Sequence, residues 1–503
     1  MTYIEFKNLL PSSIAGVAEV CAVLFFTWYI GTAAITWYRL RHIPGPFLAS
    51  FSYLWIIKNN VLGRGAQEHE SLRKYGSIVR TGPRYIVTDD PEILRRINGA
   101  RSSYPRDAWY KAIRTEQHDN MGTIIDTARH DRLKAKLLHG YNGRDNVSIE
   151  AMVDLQVTHL VDVIKRRYVS TKGDPKSFDL SQVIRYFTLD VITRLSYGEP
   201  FGFLDAEGDL YNYTNSVDRL IMALSLATDL PMLRWIIFSP LLIGFLPKST
   251  DDNGLGKVLG TAKNIVKERF EKENSESPDM IGAFMRHGIT QPEAAAEGFL
   301  TILAGSDTTA VAIRSTLLYL MSTPTVYHRL KNEIREAIHS QPISTPITVE
   351  QARKLPYLQA VIHEGFRMRP PAVYGHYKVV PPEGDTLNGL HIPGGTAIGH
   401  NSIAMMRSQK IFGSDADSFR PERLLECSEE KKYEMERTID LVFGFGRWMC
   451  AGKMVAQVEL NKIYFELMRN FDFQLIYPAK AVDEMSYFVY VQKNMFVKIT
   501  ASV

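Results

Sequence analysis

One cysteine limits what this chain can fold into more than any other residue. Cys450 closes the run Phe443-Gly444-Phe445-Gly446-Arg447-Trp448-Met449-Cys450-Ala451-Gly452, and a long helical pattern follows from Lys453 to about Leu475. Glycines in such a loop allow the backbone to approach a flat partner, because they carry no Cβ. Amides at the start of the following helix would stabilise negative charge on the sulfur. The arrangement suits a thiolate held on an iron atom. The other two cysteines, Cys21 in an apolar segment and Cys427 in the charged stretch 426–432, do not suggest a disulfide framework.

Four further motifs precede that loop. Ile43-Pro44-Gly45-Pro46 follows an apolar N-terminal segment. Ala304-Gly305-Ser306-Asp307-Thr308-Thr309 lies within a long helical pattern. Glu364-Gly365-Phe366-Arg367 lies in a later one, and Phe419-Arg420-Pro421-Glu422-Arg423 separates it from the cysteine loop. Each is weak alone. Together, in this order and across residues 43 to 452, they are specific, and the chain resembles the cytochrome P450 haem-thiolate enzymes. The Gly-Arg-Trp-x-Cys-x-Gly wording is most similar to the fungal secondary-metabolism branch.

The resemblance implies a mainly α fold with a minor β-sheet region. It implies one large catalytic domain, residues 43–503, behind a membrane anchor, residues 1–42. The implied cofactor is haem b, with Cys450 as axial ligand to its iron, a ligation that favours O–O cleavage. Phe443 and Gly446 would pack at the cofactor. The family's arginine for a haem propionate falls at Trp448 here, which offers one indole N–H and no charge. Arg447 is then a candidate propionate ligand. His130 and Lys134 match a helical ligand pair of the family, with lysine in place of arginine, and His376 and Lys378 are further candidates. Ala304, Val373 and Tyr374 are implied substrate neighbours. Glu364, Arg367 and Arg423 would form a buried charge network that holds the cysteine loop.

The residues themselves carry part of this reading. Asp307 and Thr308 place an acid beside a hydroxyl in an apolar helix, where charge is costly unless used or paired. They are the expected proton-delivery pair; Thr309 is expected to be structural. Gly305 in the middle of a helix costs about 1 kcal/mol relative to alanine. Passage over a cofactor plane or a local opening of the helix would account for it, and so would plain helix packing. Glu364 and Arg367 are one turn apart, so their side chains meet.

Residues 20–38 carry no charge, and Trp28, Trp37, Tyr38, Arg39 and Arg41 flank or follow the run. An anchor with its basic side cytosolic fits this pattern. A cleaved signal peptide fits less well, because the start is poor in positive charge and no small-residue cleavage site follows. Residues 76–90 read as a β-ribbon, 91–98 as a helix opened by Pro91, and 101–125 as a loop or short helices. Residues 126–141, 150–170 and 179–197 read as helices. The apolar, proline-bearing stretch 205–250 resembles the family's lid. A capping box, Thr290-x-x-Glu293, opens the central helix. Helices at 325–339 and 349–368, short strands at 377–380 and 387–392, and an irregular stretch 400–425 complete the reading.

The net charge of +4 and the lack of basic–aromatic interleaving argue against nucleic acid. The 13 histidines show no zinc spacing, and no dinucleotide-binding glycine motif is evident. Electrons would therefore come from a separate protein. The resemblance implies an NADPH–cytochrome P450 reductase, with cytochrome b5 as a second donor. It implies a place in the endoplasmic reticulum membrane, single-pass, with the catalytic domain cytosolic. The expected reaction is O2-dependent oxidation of a small apolar molecule in fungal natural-product biosynthesis. The alternative within the fold is an oxidative rearrangement, ring expansion or desaturation.

Overall fold

Helices dominate, and the central one organises the rest. The computed structural model describes residues 14–114, 118–145, 148–239, 242, 244 and 246–502. Parts of the expected 101–125 and 205–250 segments, and the first residues of the chain, therefore lie outside the described residues. The central helix, Gln291–Ser322, is opened by the Thr290/Glu293 capping box and is α-helical throughout. It packs against the helices Leu180–Tyr197, Gly254–Glu271 and Lys453–Asn470. The expected local opening at Gly305 is not found. A Cβ there would stand 2.7 Å from the Ile192 side chain. The glycine thus serves helix-on-helix packing, where backbones must come close.

Most expected helices form. Asp126 caps Thr127–Tyr141 by accepting a hydrogen bond from the Arg129 amide at 2.7 Å. Asp90 does the same for Pro91–Asn98. The expected helix 349–368 is two helices, Val349–Arg353 and Pro356–Met368. Pro356 has no N–H to continue the first and a φ suited to open the second. The lid segment forms the helices Tyr213–Asp229 and Pro231–Ile237.

The main sheet has the order Ile78–Arg80, Tyr85–Thr88, Ala397–Asn401, Tyr374–Val379. The outer pairs are antiparallel, and Tyr85–Thr88 runs parallel to Ala397–Asn401. The last strand is bulged between Gly375 and Lys378. The helix after Cys450 ends at Asn470, not near 475, because Phe471–Leu475 turns into a strand against Phe496–Ala501. At the other end, Ile14–Leu40 is one helix. Its residues 16–40 are long and apolar enough to cross a membrane, and the most apolar window within them is not buried in the protein.

Candidate active site

The interior encloses a cavity of about 580 Å³, walled by the central helix, the cysteine loop, the bulged strand and the lid helix Tyr213–Asp229. Cys450 opens onto it, as do Ala304, Asp307 and Thr308. The cysteine loop is shaped by two glycines in the left-handed region, Gly444 at φ 75° and Gly446 at φ 59°. A Cβ on Gly446 would meet the Asn98 carbonyl oxygen at 2.5 Å, so this glycine seats the loop on a neighbouring helix end and does not itself line the cavity. The Cys450 amide donates to the Phe443 carbonyl at 2.7 Å, and Phe443 stands edge-on to Phe366 at 5.1 Å. Burial pushes the Cys450 thiol up. The amides of Gly452 and Lys453 and the charges of Lys134 and Lys453 pull the other way.

A basic cradle lies beside the loop. The Lys378 side-chain nitrogen is fully buried, has no hydrogen-bond partner among the described residues and stands 3.6 Å over the Trp448 ring. Arg106 stacks on the same ring at 4.2 Å and on Tyr110 at 4.4 Å, and it donates to the backbone carbonyls of Met121, Gly122 and Ile124. His130 lies against Trp448 at 4.3 Å, and Lys134 donates to the carbonyls of Arg447 and Met449. Burial, then Arg106 and Arg447, bring Lys378 down to about 5. Burial, then Arg106, bring His130 down to about 4. A buried ammonium without a counter-charge is expensive. The cluster therefore fits a ligand with carboxylates, such as the two propionates of haem. Sequence reading missed Arg106, which stands in a stretch of mixed composition with no motif. Trp448 fills the expected arginine position with an aromatic face on which the Arg106 guanidinium and the Lys378 nitrogen rest. Arg447 lies elsewhere: it pairs with Asp131 at 3.1 Å and donates to the Ala100 carbonyl.

The charge network is fully buried and fully bonded. Glu364 accepts two bonds from Arg367 at 2.7 Å, one from Arg423 at 3.0 Å and one from the Arg420 amide at 2.8 Å. The two arginines then reach the carbonyls of Met406, Phe412, Asp415, Ala416 and Ser418. Buried ions are tolerated when every donor is satisfied, and here the reward is a fixed path for the chain leading to the cysteine loop.

On the central helix, Thr308 donates to the Ala304 carbonyl at 2.7 Å. Asp307 is held by Arg185 at 2.7 Å, and Arg185 also grips Asp218 at 2.9 Å. Burial would lower Arg185, but Asp307 and Asp218 hold it above its ordinary range. Of the expected substrate neighbours, Ala304 faces the cavity. Val373 and Tyr374 are buried behind it; Tyr374 bonds Asp229 at 2.8 Å and stacks on His69. Ala372 and His376 take their place at the wall.

The family model described as Cytochrome P450 matches residues 44–499. The chain is 44% identical to Cytochrome P450 monooxygenase ABA1 of Pyricularia oryzae, over 97% of both chains. It is 44% identical to aba1 of Botryotinia fuckeliana over 92% of both, and 41% identical to abl1 of Leptosphaeria maculans over 96% of this chain and 87% of that one.

Proposed function

The chain belongs to the cytochrome P450 family and is a monooxygenase of the fungal secondary-metabolism type, and we propose that it oxidises a small, mostly apolar molecule inside the cavity described above. The observation that carries the proposal is the meeting of Cys450, Asp307 and Thr308 on one largely apolar cavity beside an unneutralised basic cradle. Haem b bound there would supply the activation of O2 for insertion into a C–H bond.

The chain's own residues have separable tasks. Cys450 offers its sulfur as the iron ligand, with the Gly452 and Lys453 amides turned toward it. Arg106, Lys378, Lys134 and His130 would hold the propionates, with Trp448 as the face they rest on. Asp307 and Thr308 would move protons toward the cavity, and the clamp on Arg185 keeps the carboxylate in place until it is used. Glu364, Arg367 and Arg423 keep the cysteine loop in register. Electrons from NADPH would arrive through a separate reductase, with cytochrome b5 as a further donor. The helix Ile14–Leu40 would anchor the chain in the endoplasmic reticulum membrane as a single pass, with the catalytic domain cytosolic.

The test compares metabolite extracts of the host carrying the native chain or Cys450→Ser. Accumulation of a compound one oxygen atom short of the normal product is the expected result. Accumulation of an isomer of the product, or of a compound differing only by hydrogens, replaces oxygen insertion by rearrangement or desaturation. Matching extracts, with the pathway's products detected in both, overturn the catalytic role of Cys450.

A further inference from the structure

The cavity wall is largely apolar, and of the polar side chains that line it outside the cradle and the central helix, His376 is the one carried on a bulged, left-handed backbone. We propose that His376, backed by His400 and Ser402, is the polar recognition point for substrate, and that the substrate carries a neutral hydroxyl or carbonyl oxygen on an otherwise apolar skeleton. The inference rests on reading this cavity as the substrate site.

Three observations support it. First, the backbone is bent to present this side chain. Gly375 has φ 109° and His376 has φ 50°, where the strand is bulged. A non-glycine residue in the left-handed region is held there at a cost, about 1 kcal/mol or more, which surrounding structure must over-determine. Second, the imidazole is exposed, and its exposure is to the cavity it lines. It stands against the rings of Trp109 at 5.4 Å and Tyr110 at 5.9 Å. Burial, then Arg106 and Lys378, bring it to about 4, so it is neutral at physiological pH.

Third, the ring is the outer end of a relay. His376 Nδ1 lies 2.8 Å from His400 Nε2, and His400 Nδ1 lies 2.7 Å from Ser402 Oγ. Among the described residues, His376 Nε2 has no partner. With both imidazoles neutral, two proton arrangements satisfy every bond. Either His400 donates to His376, the Ser402 hydroxyl donates to His400, and His376 presents N–H to the cavity. Or His376 donates to His400, His400 donates to Ser402, and His376 presents a lone pair. The first suits a carbonyl, and either suits a hydroxyl. Carboxylates are better served by the cationic cradle, which already has enough donors for two.

The experiment measures binding, not turnover. Equilibrium dialysis with haem-loaded protein gives affinities for 4-phenylcyclohexanol, 4-phenylcyclohexanone and phenylcyclohexane, three compounds with one skeleton. The polar-to-hydrocarbon affinity ratio is expected to fall about tenfold in His376→Phe, and a few-fold in Ser402→Ala, which only loosens the relay. His376→Gln, which keeps a hydrogen-bonding end, should retain much of it. An unchanged ratio in His376→Phe overturns the inference. If that variant does not fold, an unchanged ratio in Ser402→Ala does so. Haem content and the thiolate-type carbonyl spectrum are read on the same samples. Their absence in the native protein is a failure of the monooxygenase reading; intact spectra with an unchanged ratio are a failure of this inference alone.

Discussion

Lys378 shows how much of this site is built for something carboxylated. Its buried side-chain nitrogen faces the rings of Trp448 and Tyr110 with no hydrogen-bond partner among the described residues, and with its titration brought down to about 5 the haem-free protein must fold with this amine stripped of its proton at neutral pH. Lys378→Met should raise the stability of the haem-free protein at pH 7 by about 2 kcal/mol, since it removes an amine that must give up its proton and its hydration to be buried. In the loaded protein the same change should speed haem transfer to apomyoglobin about tenfold, through loss of a charge-assisted bond. Slower transfer would remove Lys378 from the propionate set. Asp307→Asn keeps the shape of the helix but removes the acid gripped by Arg185. Product formation should fall about 100-fold, the usual worth of a positioned proton donor, with phenylcyclohexane affinity unchanged. The sequence made Cys450, Glu364, Arg367, Arg423 and Asp307 legible because each sits in a short motif whose meaning is local. Arg106 was not legible. Its role depends on the bulged strand and the cysteine loop, far away in sequence, meeting beside it.

Glu297 ties two segments together. It lies fully buried on the central helix, accepts a hydrogen bond from the Met121 amide, and its other oxygen has no partner among the described residues. That bond pins the 118–124 turn, whose carbonyls in turn hold Arg106. Burial lifts Glu297 from 4.5 to about 8. A raised folded-state value means that the folded protein holds the proton more tightly than the unfolded chain. The contribution to stability is whole below 4.5 and is lost as pH climbs through 8. Glu297→Gln mimics the protonated acid and does not titrate. Its stability relative to the native chain should therefore rise between pH 5 and pH 8, by about 4 kcal/mol if the full shift applies. Denaturant unfolding at both values checks this, and a constant difference removes the titration from Glu297. The helices were readable because caps and 3.6-residue periodicity are local. The strand Ala397–Asn401 and the C-terminal strands were not, since they are short, and their pairing with Tyr85–Thr88 and Phe178–Asp179 is set by distant chain.

The apolar helix Ile14–Leu40 and the folded body touch across residue 42, where sequence reading placed the boundary between them. The buried Arg80 guanidinium donates to the carbonyls of Gly82 and Pro83 and, at 3.1 Å, to that of Thr36 in the last turns of the helix. Leu40 is buried in the main core, and Arg39 and His42 reach the carbonyls of Gly394 and His391. A composition change marks where apolar residues stop, not where packing begins, so the apolar run concealed this seam. A chain beginning at Ile35 should keep these contacts and shed most of the span. One beginning at Ile43 leaves Arg80 short of an acceptor and uncovers the site of Leu40. Both should bind haem, with the shorter chain less stable by about 3 kcal/mol, the sum of one lost buried hydrogen bond and one lost apolar side chain. Thermal unfolding of the two loaded proteins decides it. Equal midpoints would show that the helix end only rests on the body, and the proposed anchor would then be a tether whose orientation the catalytic domain does not fix.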